Sequence, residues 1–160
     1  MLNITYYPNR EKKSSNDLYF ETDFSFSYEA VVAQSGGNIE IRENGILVGT
    51  VNGTQIQIKD KIIKQKRLGI FGWAWLISES PEVLLHPKND EYYINESVVA
   101  KVTMLAALTS NSLSTFSSLF SGVTPNSEVH IKLNFNEKEI FPLLAFSLLL
   151  VDVSRSRHGI

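Results

Sequence analysis

A chain of 160 residues that is 43% hydrophobic and carries a formal net charge of −2 is sized for one core, and the expected organisation is a single domain over residues 1–160. The slight acidity gives no global attraction to a phosphate backbone, so nucleic acid is not an expected partner. With no cysteine in the chain, disulfide staples, thiolate metal sites and thiol catalysis are excluded.

The opening MLNITYYPNREKK has no apolar run behind a basic segment, so no secretory leader is read there. The expected location is cytoplasmic, at most peripheral at a membrane, and the sequons at Asn3, Asn52 and Asn95 are then chance. Residues 3–7 predict a first strand stopped by Pro8, with a polar loop over residues 9–17 behind it. The next run, DLYFETDFSFSYEAVVA, places Phe20, Phe24, Phe26 and Tyr28 in a largely alternating pattern. Phe24, Phe26 and Tyr28 fall opposite Asp23, Ser25 and Ser27, as one half-buried strand requires. Residues 34–37, QSGG, break it.

Residues 39–66 predict a meander of four short strands. Residues 39–41 lead into a three-residue loop, Glu43-Asn44-Gly45, whose glycine can take a positive φ, and residues 46–51 return. Asn52-Gly53 is a two-residue hairpin signal with positive φ expected at both positions. Residues 55–59 alternate isoleucine with glutamine, and residues 62–66 follow the Asp60-Lys61 turn. A meander leaves open edges unless it closes, which favours a barrel. Gly69 and Gly72 flank a further apolar strand in which Trp73, Trp75 and Ile77 share a face until Pro81. Short strands follow at residues 83–86, 91–94 and 97–105. Leu113, Phe116, Leu119 and Phe120 recur at helical spacing within the serine-rich residues 109–121, a weak amphipathic helix or an ordered loop. The last strand, residues 128–135, alternates Val129, Ile131, Leu133 and Phe135 against Glu128, His130, Lys132 and Asn134.

That strand runs into residues 140–153, IFPLLAFSLLLVDV, where residues 141–151 hold no charge and a single hydroxyl, Ser147. A helix apolar on all sides must be surrounded. At about 1.5 Å per residue the apolar stretch covers roughly 16 Å, about half a bilayer's hydrocarbon core, so no transmembrane span is expected and the expected surroundings are protein. Its start is placed near Ile140 because Pro142 is tolerated only in a first turn; Arg155 and Arg157 then lie just past its end, where positive charge suits the helix dipole. The fold class is therefore mainly β with one buried C-terminal helix: an antiparallel β-barrel or strongly curved sheet wrapped around an apolar central helix.

Two passages, NIEIRENGILVGTVNGTQIQIKDKIIKQKR and EIFPLLAFSLLLVDVSRSRHG, resemble the strand-turn-strand units and the central helix with basic tail of the tubby C-terminal-like fold, which also houses LURP-one-related proteins and phospholipid scramblases. The resemblance implies a closed antiparallel barrel whose lumen is filled by residues 141–151. Some tubby proteins bind phosphoinositides on the outer barrel wall, but no binding motif of theirs is matched here residue by residue.

Lys59, Lys61, Lys64, Lys66 and Arg67 form the candidate anionic-ligand patch, since Lys64 and Lys66 alternate with Ile63 and Gln65 and a neighbouring strand can bring Lys59 and Lys61 beside them. The competing reading is a solvated face with lysines guarding a strand edge. Trp73 and Trp75 are candidate interfacial aromatics, or core. Residues 109–121 have the composition of a lipid-packing sensor helix, or of ordinary surface packing. His86, His130 and His158 stand in no metal-binding or catalytic spacing. The expected function is a non-enzymatic, tubby-like binding module for anionic phospholipid headgroups or for a protein partner, with no cofactor. The alternative is a small hydrolase or lyase assembled in space around His86 or His130, for instance from Ser78, His86 and Glu91.

Overall fold

The computed structural model describes residues 1–8, 16–33, 38–107 and 128–157. Among the described residues twelve strands precede one helix: β1 (Leu2–Tyr7), β2 (Asp17–Thr22), β3 (Tyr28–Val32), β4 (Ile39–Glu43), β5 (Ile46–Val51), β6 (Gln55–Ile58), β7 (Lys61–Leu68), β8 (Gly72–Glu79), β9 (Glu82–Lys88), β10 (Glu91–Ile94), β11 (Ser97–Ala107), β12 (Glu128–Phe135) and α1 (Pro142–Arg157). Each strand pairs antiparallel with its sequence neighbours, and β1 closes the ring against β12 with Ile4 opposite Leu133. Closure satisfies the two edges that an open meander would expose. Most of the polar loop after Pro8, the break at residues 34–37 and the serine-rich residues 109–121 lie outside the described residues.

Period-two alternation decides which side chains enter the lumen. Ile4 and Tyr6, Ile39 and Ile41, Ile56 and Ile58, and Ile131, Leu133 and Phe135 are all buried, and each set sits at alternate positions of its strand. An eight-stranded barrel is filled by such side chains alone, whereas a wall of twelve leaves a bore that a helix about 10 Å across can occupy. The helix that occupies it packs against β12, β5, β1 and β6. From Leu143 to Val151 every residue of α1 is buried, which explains why the sequence has no polar stripe there. Ser147 is accommodated because its hydroxyl donates to the Leu143 carbonyl oxygen at 2.7 Å, inside the helix itself. Phe146 adds an aromatic clamp, with Phe20 and Phe26 standing nearly perpendicular to it at 4.8 and 4.9 Å.

The helix begins two residues later than expected. Glu139 and Ile140 donate their backbone N–H groups to the Asn136 carbonyl, so residues 136–140 are spent reversing the chain from β12 into the lumen. Phe141 then stands outside as the capping position, its carbonyl accepting from Ala145 N–H at 3.1 Å, and Pro142 opens the first turn. Phe141, expected in the lumen, is instead 49% exposed at the rim. The far end runs to Arg157 rather than Val153, which places Arg155 within the last turn.

The expected single strand through the aromatic run is also corrected. β2 ends at Thr22 and β3 starts at Tyr28, so residues 23–27 turn a corner. Phe24, Phe26 and Tyr28 still share a side, with successive rings edge-on at 5.6 and 5.2 Å. Asp23, opposite them, accepts from the Asn3 backbone N–H at 2.9 Å, which fastens the corner to β1.

The turns separate by backbone sign. Asn44 and Gly45 have φ of 52° and 81°, a two-residue turn with both centres left-handed, and Glu43 pairs with Ile46 instead of joining a three-residue loop. At Asn52 and Gly53 neither residue is left-handed. There the Asn52 side-chain carbonyl accepts from Thr54 N–H, Thr54 hydroxyl and Gln55 N–H at 2.9, 3.1 and 2.9 Å, so a side chain rather than a glycine makes the turn. Gly45→Val should therefore destabilise the fold by roughly 1–3 kcal/mol, the cost of holding a branched residue in the left-handed region. Gly53→Val should stay within roughly 0.5 kcal/mol, since a Cβ there meets only an Arg155 side-chain carbon at 4.0 Å. Thermal unfolding of the two variants checks both, and equal losses would contradict the turn assignment.

Candidate functional site

Chain direction fixes the two ends of the barrel. β12 ends and α1 begins at one mouth, here called proximal, so the connections β2–β3, β4–β5, β6–β7, β8–β9 and β10–β11 all lie there. Those after β5 and β7 lie at the distal mouth, where α1 ends.

The five basic residues run from the β6–β7 turn along β7 rather than gathering at one point. Lys59 sits in the β6–β7 turn with φ 54° and donates its backbone N–H to Val48 O at 2.8 Å. Lys61 opens β7 opposite Ile58. Lys64 points outward, since Ile63 beside it is buried in the lumen. Lys61 and Lys64 line a groove of about 390 Å³ on the outer wall with Ile62, Leu76, Ile77, Ser78 and Glu79. Lys59 and Lys61 line a second, of about 550 Å³, with Ser25, Phe26, Ser27, Tyr28, Asp60, Phe141 and Pro142 among its walls. Lys61 thus borders both, and three cations lead from the proximal rim onto the outer wall of β7, interrupted by the carboxylates of Asp60 and Glu79.

The other two basic residues are placed differently. Lys66 is ion-paired with Glu82 at 2.6 Å, and Arg67 lies at the far end of β7 opposite Trp73. Four ammonium groups therefore do not converge.

Trp73 and Trp75 face inward at the distal end. Trp75 is fully buried, its ring 5.5 Å from that of Trp73 and nearly perpendicular to it, and its indole N–H has no hydrogen-bond partner among the described residues. Trp73 is half-buried beneath Arg155, whose guanidinium carbon lies 5.6 Å from the ring centroid and whose Nη2 donates to Gly53 O at 3.0 Å. Trp75 is a core side chain and presents no indole face to a bilayer, while Trp73 packs half-buried against that core.

The histidines stand apart. His86 lines a separate groove of about 470 Å³ with Lys88, Tyr93, Asn95 and Glu96, Ser78 belongs to the lysine groove, and the Glu91 carboxylate accepts from the Tyr93 hydroxyl at 2.5 Å. Ser78 and His86 thus line different grooves. His130 stands edge-on to Tyr7 at 4.5 Å. No group of three or more potential metal ligands occurs among the described residues, and His158 lies outside them.

One cluster is absent from the sequence reading. Asp152 and Arg155 lie one turn apart on α1, and Tyr92 enters from β10 as a buried side chain. Burial pushes the Asp152 carboxyl up to about 6, against the lowering pull of Arg155. Burial first, and Asp152 second, raise the Tyr92 phenol. The available signal was the single carboxylate interrupting an apolar helix three residues before an arginine.

No protein-family model, no curated protein and no solved structure matches the chain.

The Asp152 carboxyl binds its proton more tightly in the folded chain than in the unfolded one, whose value is near 3.8. Its contribution to stability is therefore full below about 3.8 and lost as pH rises through about 6. Asp152→Asn removes that loss. The variant's advantage in melting temperature over the parent should grow between pH 4 and pH 7 and then level off; a difference constant across that window would contradict the burial of this carboxylate.

Proposed function

We propose that the chain is a non-enzymatic, tubby-like binding module that recognises anionic phospholipid headgroups at a membrane surface through Lys59, Lys61 and Lys64. Two features of the fold support this reading. A closed twelve-strand barrel around an apolar helix is the architecture that the resemblance implies. Because residues of α1 fill the lumen, a ligand has to be met on the outside. The observation that carries the proposal is Lys61, which joins two surface grooves into one cationic rim on a chain that is otherwise slightly acidic. Lys66 contributes less, its charge being engaged by Glu82. No helix among the described residues is long and apolar enough to cross a membrane, so the contact proposed is peripheral.

A lysine near an anionic bilayer is worth about 1 kcal/mol, and two of them more than tenfold in partitioning. Sedimentation with vesicles of phosphatidylcholine and phosphatidylserine at low salt should therefore fall at least about tenfold for Lys61→Gln with Lys64→Gln. It should stay near the parental level for Lys66→Gln. Binding unaffected by the double substitution, or no binding by the parent, would overturn the headgroup reading and favour a protein partner.

A further inference from the structure

The same rim that carries the lysines also carries apolar side chains that the fold does not use. Ile46 and Leu47, which follow the β4–β5 turn, are 69% and 55% exposed, and Phe141 and Ile62 are 49% and 48% exposed. They come from three separate segments of chain, and all lie toward the proximal mouth. The hydrogen bond from Lys59 N–H to Val48 O holds the start of β5 against the β6–β7 turn. Phe141 shares a groove with Lys59 and Lys61, and Ile62 shares the neighbouring one with Lys61. Phe141 and Ile62 thus lie beside lysines, and Ile46 and Leu47 begin the strand that the Lys59 backbone holds.

An alternation of that kind matches a particular boundary. Lysine carries its charge on a long apolar stem, so its head can stay at phosphate depth while the stem and its neighbours lie deeper. The bilayer interface supplies both layers at once. Several exposed apolar side chains with cations between them are also the arrangement by which amphipathic surfaces rest in it.

We infer that the proximal mouth is the membrane-inserting end of the barrel, with Ile46, Leu47 and Phe141 entering the acyl boundary of an anionic bilayer while Lys59 and Lys61 hold its headgroups. The inference rests on the headgroup reading and adds to it an orientation and an apolar depth. It sets α1 near the membrane normal, with its first turn toward the lipid. The distal mouth then faces water, although its β7–β8 turn also carries exposed apolar groups, Ile70 at 80% and Phe71 at 97%. That hairpin offers two side chains and one flanking arginine, against three segments around two lysines at the proximal rim.

The absence of cysteine allows one environment-sensitive fluorophore to be placed at a time. A nitrobenzoxadiazole label on Leu47→Cys should shift to the blue on phosphatidylcholine/phosphatidylserine vesicles and be quenched by nitroxides on the acyl chains. The same label on Phe71→Cys should stay aqueous. Binding by the parent should also keep a part that survives an increase from about 0.1 M to about 1 M salt, where the Debye length falls from about 10 Å to about 3 Å. Ile46→Ser with Leu47→Ser should remove that part by about tenfold or more at an unchanged melting temperature.

A label that inserts at residue 71 and not at 47 overturns the assignment of the end. An aqueous label at 47 on a chain that still sediments, and still depends on Lys61 and Lys64, overturns insertion and leaves the headgroup reading standing. Insertion at 47 that persists in the Lys61→Gln, Lys64→Gln variant overturns the headgroup reading and leaves the inserting end in place. A parent chain that binds no vesicles overturns both.

Discussion

The side chains of residues 143–151 face protein on every side of α1, and that enclosure is the constraint from which the rest of the architecture follows. A helix without a polar stripe cannot lie on a sheet, because one side would remain in water. It needs a wall all the way round, and a wall wide enough to admit a helix needs more strands than a barrel packed by side chains alone. The alternating strands supply the inner surface, with isoleucines from β1, β4, β6, β7 and β12 buried in the same core as the helix. Fully burying one leucine is worth about 1.5–3 kcal/mol. The run of apolar residues in α1 is accordingly a large share of what distinguishes the closed barrel from an open meander.

The same enclosure shapes both folding and function. β1 and β12 are hydrogen-bonded neighbours although they come from opposite ends of the chain, so the ring closes only when the last strand and the helix behind it are in place. Pairings of such long sequence separation are slow to form. Once closed, the barrel has no lumen to offer a ligand. Chemistry is confined to the outer wall and the two mouths, where the lysines of the proximal rim and the Asp152, Arg155 and Tyr92 cluster of the distal end are found. Arg155 serves the distal end twice, covering Trp73 and holding the Gly53 carbonyl, while its pull on Asp152 only partly offsets burial.

Much of the fold was legible because period two and an uninterrupted apolar run are strong local signals. The meander from Ile39 onward, the alternation of Val129, Ile131, Leu133 and Phe135, and the buried helix could all be read from spacing. What failed was local geometry set by tertiary contacts. Phe24 and Phe26 have strand alternation but sit on a corner, because Asp23 is tied to Asn3 and the rings close over Phe146. Asn52-Gly53 has the composition of a left-handed turn, yet the Asn52 side chain offers three hydrogen bonds that need no positive φ. The candidate site was legible as a list of lysines and not as a patch. Strand pairing sends Lys66 to Glu82 and Arg67 to the opposite mouth, and nothing local to either residue encodes that. The exposure of Ile46 and Leu47 had only a faint trace in the sequence: three successive apolar residues, Ile46, Leu47 and Val48, where a half-buried strand would alternate.

Wall and helix form one cooperative unit, a property that native-state amide hydrogen exchange reads residue by residue. In that case the amides of residues 144–151 are released only by global unfolding, and they share one opening free energy with the buried amides of β1 and β12. A lower opening free energy for the α1 amides, with the strand amides still protected, would mean that the barrel stands without its helix and would contradict the account.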